Sequence, residues 1–153
     1  MSIIDTMKSL TDITDIPQPG GNYKAVNIRR SNGTIAIQLP IDKGEFHFRG
    51  KLGKEISTEQ GYQAARMCAM NAIKQLIHHI KNPDEVEISH IDIMYQCEPD
   101  WDEAPRVADG ASDLFVQVLG AKGEHTRAIS GVAKLPRNFS VSIVTSFVIN
   151  RQL

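Results

Sequence analysis

Cysteine is scarce in this chain. The two present, Cys68 and Cys97, stand far apart and match no metal-ligating or redox spacing. Neither a structural metal nor a disulfide framework is expected, and Cys68, on an apolar helical stripe, reads as a buried structural thiol. Long apolar runs are missing as well: none approaches the roughly 20 residues of a membrane-spanning helix. The start, Met1-Ser2-Ile3-Ile4-Asp5, lacks the basic head and apolar core of a secretory signal. Nor is there an excess of either charge. Lys+Arg 17 against Asp+Glu 18 leaves a formal net charge of −1, so nothing draws the whole chain to nucleic acid or an anionic membrane. Arg29-Arg30, Lys134 and Arg137 are too sparse for a basic patch and read as solvated charges. No phosphate loop, dinucleotide fingerprint or Ser/His/Asp spacing occurs. The expectation is a cytoplasmic, reduced protein with no metal, no cofactor, and no nucleic-acid or membrane partner.

What is present suits one globular domain. The 153 residues, 41% hydrophobic and 23% charged, can bury a single core of ordinary size. Residues 1–22 read as an N-terminal arm: Ile3, Ile4, Met7 and Leu10 keep helical spacing, and Pro17, Pro19, Gly20 and Gly21 end it. The domain proper then runs over 23–153. Lys24 to Arg30 and Thr34 to Leu39 form a hairpin turning at Ser31-Asn32-Gly33. Glu45 to Arg49 is a short edge strand. Ser57-Thr58-Glu59-Gln60 is a capping box, followed by a stripe of Ala65, Cys68, Ala69, Ala72, Ile73, Leu76, Ile77 and Ile80 along a long helix that ends at Asn82-Pro83.

Val86 to Tyr95 reads as a strand that changes phase near Ser89-His90, where a bulge reconciles its halves. A second helix carries Val107, Ala111, Leu114, Phe115 and Val118 and stops at Gly120 and Gly123. Two last strands, Arg127–Leu135 and Val141–Ile149, complete the order. Strands and helices mix without strict alternation, which favours an α+β single domain with both helices on one face of one sheet. Ile129, Val132, Val141, Ile143, Phe147 and Ile149 are too apolar for a solvated sheet face. A second cover is therefore expected on the opposite side, supplied by copies of the same chain.

Most candidate chemical groups have a plain structural reading. His78 and His79 are adjacent on a helix, diverge by about 100°, and cannot grip one metal together. His47 and His90 stand singly in strands. Gly110-Ala111-Ser112 imitates a nucleophile turn, but no strand precedes it. Arg127 differs, because a guanidinium opening an apolar strand is costly to bury alone yet suited to fork two hydrogen bonds onto a carboxylate. His125 lies two residues before it, and histidine can move a proton near neutral pH.

The stretch Arg127-Ala128-Ile129-Ser130-Gly131-Val132-Ala133-Lys134-Leu135-Pro136 resembles the C-terminal signature of the reactive intermediate deaminase (Rid, YjgF-like, or endoribonuclease L-PSP) family. Further landmarks follow in order: Gly21-Asn22-Tyr23, Gln38-Leu39-Pro40, and Gly50-Lys51-Leu52-Gly53 ahead of Ser57. Val107–Leu114 and Gly123–Arg127 are similar to a subgroup longer than the prototype deaminases. Together they cover roughly residues 20–149.

The resemblance implies a chorismate-mutase-like α+β fold with a mixed sheet, and a homotrimer with ligand clefts between subunits. It implies that Arg127, the residue carried over as catalytic, binds the carboxylate of a small ligand. Tyr23 would line the cleft from the other side, the Ile129 backbone would orient the ligand, and His125 is a further ligand-binding candidate. Two positions depart from the prototypes. Ala36 stands where they carry a serine, and Ser142 where they carry a glutamate that orients water. An alcohol with its ordinary pKa far above neutrality is no general base. Two functions follow: hydrolytic deamination of an enamine or imine, or a non-catalytic carboxylate-binding or regulatory trimer. Ribonuclease activity, suggested only by the older family name, is disfavoured by the missing basic stripe.

Overall fold

Ser57 and Gln60 clasp each other at the start of the longest helix. The Ser57 hydroxyl accepts from the Gln60 N–H at 3.1 Å, and the Gln60 side chain accepts from the Ser57 N–H at 2.8 Å. Two backbone donors that no helical carbonyl can reach are thereby satisfied. The computed structural model describes residues 1–150. Its helices are α1 (Ile3–Leu10), α2 (Thr58–His79) and α3 (Ala104–Leu119). Its strands are β1 (Val26–Arg29), β2 (Asn32–Gln38), β3 (Ile41–Asp42), β4 (Glu45–Phe46), β5 (Val86–Tyr95), β6 (Thr126–Gly131) and β7 (Val141–Ile149).

Five strands form one sheet in the order β1-β2-β7-β5-β6. All neighbours are antiparallel except β5 and β6. A parallel pair needs a crossover long enough to return the chain, and α3 supplies it. Helix α2 covers β1, β2 and β7, while α3 covers β5 and β6. The fold is thus a mixed sheet with its helices on one face, as the element order implies.

Between the two layers lies one core. The α2 stripe of Ala65, Cys68, Ala69, Ala72, Ile73 and Leu76 is buried there. Small residues let the helices approach closely: a Cβ on Gly110 of α3 would sit 2.0 Å from the Tyr62 carbonyl oxygen of α2. Ile3 and Met7 of α1 belong to the same core, and the Ile3 N–H donates to the Asp84 carboxylate at 2.9 Å. The arm therefore begins as part of the packed domain. The bulge in β5 falls between Ile88 and His90. Residues 151–153 of the expected domain lie outside the described residues.

Four expectations are corrected. The first hairpin turns at Arg30-Ser31, with Arg29 paired to Asn32 and Arg30 in the left-handed region at φ 59. Asn32-Gly33 belongs to β2, because the glycine is needed for space: a Cβ there would lie 2.1 Å from the Phe147 ring. The short strand near Glu45 pairs only with β3, in a separate two-stranded hairpin. It is tied to α2 by the Asn71 amide, which donates to the carbonyls of Leu39 and Ile41. The strand opened by Arg127 ends at Gly131 rather than continuing to Leu135.

The fourth correction concerns the sheet face. Val141, Ile143, Phe147 and Ile149 point into the core under the helices, and Ile129 packs against it. Across β7, Met94 is paired with Ser142, Asp92 with Val144 and His90 with Ser146. Residues paired across a sheet share a face, so the side away from the helices is mixed polar and apolar. The apolar residues named for that side do not supply a reason for association.

Candidate functional site

Strand β6 sets the direction of Arg127. Its Cα partner across the parallel pair is Ile91, a core residue, and Ile129 is likewise opposite Ile93. Both β6 residues therefore face the helix layer. Because β6 is the edge strand and α3 lies over it, the guanidinium emerges beside the first half of that helix. There Arg127 Nη1 donates to Asp109 Oδ1 at 2.8 Å and to Ser112 Oγ at 3.1 Å. Nη2 makes a longer contact of 3.4 Å to the Pro105 carbonyl. Among the described residues Nε has no hydrogen-bond partner. Asp109 and Ser112 are three residues apart on α3 and so share a helix face.

The network continues through Ser112 to His125. His125 Nε2 lies 2.9 Å from Ser112 Oγ, and Nδ1 lies 2.5 Å from the Gly123 carbonyl oxygen. A carbonyl only accepts, so Nδ1 carries a proton; in the neutral ring Nε2 is then the acceptor. The Ser112 hydroxyl can donate to His125 while its oxygen accepts from Arg127. The edge of the Phe115 ring closes the far side of the imidazole, with centroids 5.7 Å apart. Gly123 leaves the room for this turn: a Cβ there would meet the Phe115 carbonyl at 2.1 Å.

Tyr23 lies elsewhere. It is 47% exposed and lines a cavity of about 690 Å³ with Ala36, Gln38, Phe46, Gln75 and Arg137. Its hydroxyl accepts from the Gly20 N–H at 3.1 Å, which leaves the phenolic hydrogen free to donate. The wall on one side is the arm, where the Pro17 carbonyl accepts from the Gln75 amide at 2.8 Å. Gln75 Oε1 is buried without a partner among the described residues. Beneath that wall the Lys74 ammonium is almost fully buried, 3.9 Å from Asp15. The cavity lining does not include Arg127. One chain therefore brings Arg127, Ile129 and His125 together and leaves Tyr23 in a different place.

The two departures from the family pattern also fall apart in space. Ala36 is on the cavity wall. Ser142 is fully buried on β7, its hydroxyl without a partner among the described residues, and it contributes nothing to either place. Cys68 is buried, and loss of hydration pushes its thiol far above the ordinary range; it is no nucleophile. Among the described residues no group of three or more His, Cys, Asp or Glu side chains could hold a metal, and no helix is long and apolar enough to cross a membrane.

Asp109 and Ser112 escaped sequence reasoning as partners of Arg127. The available signal was their i, i+3 spacing on an amphipathic helix, set beside the alternation of His125 and Arg127. Gln75 gave no signal, since it stands among the buried residues of α2.

Residues 7–149 match the family model described as "YjgF/chorismate_mutase-like, putative endoribonuclease". The chain is 30% identical over 127 residues to Protein TCP17 of Trypanosoma cruzi, covering 82% of this chain and 79% of that protein. Its fold is similar to that of a "putative endoribonuclease" of Shewanella oneidensis MR-1, with a TM-score of 0.93 at 24% identity over 97% of this chain and 100% of the other. The protein Atu1372 of Agrobacterium tumefaciens, of unknown function, gives a TM-score of 0.86 at 28% identity, covering 97% and 92%.

Proposed function

We infer that this chain, which belongs to the YjgF/chorismate mutase-like family, anchors a small carboxylate-bearing ligand on Arg127 and hydrolyses it as an enamine or imine. One observation carries this reading. Asp109 and Ser112 both engage Nη1, Nε has no partner among the described residues, and Nη2 makes only the long 3.4 Å contact to the Pro105 carbonyl, so a carboxylate that displaces that contact can meet the Nε–Nη2 edge with two parallel hydrogen bonds. A ligand on that edge runs beside β6, where the backbone at Ile129 orients it. Tyr23 belongs to the same cleft only if a second copy brings its cavity against Arg127. A homotrimer with shared clefts is the assembly this reading requires, and the polar and apolar mixture on the open sheet face suits contact between copies.

A substrate of this kind is a 2-enamino or 2-imino acid. After tautomerisation to the imine, water adds to the C=N carbon, ammonia leaves, and a keto acid remains. Arg127 neutralises the carboxylate and fixes the reacting carbon, which contributes through charge and orientation. The second reading keeps the pocket without the reaction. It is favoured by Ser142, a buried hydroxyl where the prototypes carry a carboxylate.

Coupling a threonine dehydratase to this protein tests the first reading directly. Faster disappearance of the four-carbon enamine in its presence is the expected result; an unchanged rate at high protein concentration leaves the binding role alone. Titration calorimetry with 2-oxobutyrate on wild type and Arg127→Ala tests the anchor common to both. Sedimentation at dilute concentration tests the trimer, and a monomer would contradict the shared cleft.

A further inference from the structure

We propose that Ser112 and His125 form the proton relay of this site, doing the work for which residue 142 offers no base. This rests on the hydrolytic reading above. Three facts bring it together. Ser112 Oγ stands 3.1 Å from the Arg127 nitrogen and 2.9 Å from His125 Nε2. The Gly123 carbonyl holds Nδ1 at 2.5 Å, which fixes the tautomer that leaves Nε2 able to accept. The hydroxyl therefore has an acceptor behind it and a cation in front, the geometry of an acid–base pair with its orienting group. A serine used only to cap Arg127 needs no histidine behind it.

Arg127 on β6 is reached through Ser112, Asp109 on α3 is reached in turn through Arg127, and Phe115 packs on the ring from α3. Asp109 offsets the guanidinium charge near the hydroxyl.

Water attacks the carbon of a protonated C=N; a C–O bond forms and the π pair moves to nitrogen. The water proton passes to Ser112 Oγ as the Ser112 proton passes to His125 Nε2, giving a neutral carbinolamine and an imidazolium. The imidazolium returns its proton through Ser112 to the amine. The C–N bond then breaks, ammonia departs with its electron pair, and the carbinol O–H proton passes to that ammonia as the C=O forms. Iminium and water become keto acid and ammonium, with no redox partner.

The test measures kcat and KM in the coupled enamine assay for wild type, Ser112→Ala, His125→Ala and His125→Gln. Sedimentation and 2-oxobutyrate calorimetry are run on each. The relay predicts a fall in kcat of about 100-fold or more for all three variants, with KM and 2-oxobutyrate affinity within about threefold of wild type. It also predicts partial recovery of His125→Ala by added imidazole. His125→Gln guards against mere structural loss, because a glutamine amide can still hydrogen-bond Ser112 but cannot cycle a proton. If Gln restores the rate, or if imidazole rescues nothing in a well-folded His125→Ala, the relay is overturned and the deaminase stands. An inactive wild type that still binds 2-oxobutyrate overturns both.

Discussion

Arg127 and Ile91 face one another across the parallel pair of strands, β5 and β6, in the five-stranded sheet. An edge-strand residue opposite a core isoleucine must project into the helix layer, and Arg127 does so with its charge matched by Asp109 at 2.8 Å. The site is a consequence of register: a slip of one residue would put Arg127 on the opposite face.

Asp109→Asn removes the charge on one side of the guanidinium while keeping a hydrogen-bond acceptor. Carboxylates then lose an internal competitor and a like charge, so 2-oxobutyrate should bind several-fold more tightly in calorimetry. The stability cost should be small, about 0–1 kcal/mol, because the Asp109 side chain is half exposed and solvent screens the pair. Weaker binding in this variant would mean that Asp109 positions Arg127 more than it competes for it.

Gly33→Ala should be destabilising out of proportion to its size. The added Cβ meets the Phe147 ring at 2.1 Å, and Phe147 is fully buried between β7 and the helices. Overpacking of this kind costs about 1–3 kcal/mol. Phe147→Leu in the same chain should recover part of the loss, a coupling that a double-mutant cycle in urea measures.

Stability should fall with alkaline pH through Cys68. Burial raises its thiol pKa in the folded chain, so above about pH 8.5 the unfolded chain releases a proton that the folded one keeps. The unfolded state then binds fewer protons, and unfolding free energy falls by up to about 1.4 kcal/mol per pH unit from this group. Cys68→Ala should flatten the profile between pH 8.5 and 10 while lowering stability at neutral pH. Under native conditions a maleimide should modify the partly exposed Cys97 and leave Cys68 untouched.

Ser57→Ala should cost about 1 kcal/mol. It leaves the Gln60 N–H without its acceptor and unseats the reciprocal bond. Chemical denaturation reads the loss, and Ser57→Asp should largely restore it.

Much of the architecture was legible because local signals agreed with one another. The Ser57–Gln60 box, the alanine-rich stripe and the phase change at Ser89-His90 each depend on nearby residues, and each appears where the pattern put it. Failures arose where a distant residue decided. Asn32-Gly33 has the composition of a turn, yet Phe147, more than a hundred positions away, makes Gly33 a packing residue. The side faced by Val141 and Ile143 is decided by which strands pair, and an apolar strand reads alike from either side. At the site, Arg127 and His125 were visible through their motif. Asp109 was not visible as their partner, because contact between a helix and an edge strand is a property of the fold.

The Pro17–Gln75 hydrogen bond makes the N-terminal arm a wall of the domain, with practical consequences for any shortened version. A chain trimmed to the family-matched residues 7–149 would keep Asp15 and Pro17 but discard Ile3 and the Ser2 cap of α1. That start would open the core beside Asp84. A cut just before Tyr23 would go further, baring the Lys74 ammonium and unroofing the cavity beside Gln75. A fragment made that way would report on a different pocket from the one the whole chain encloses.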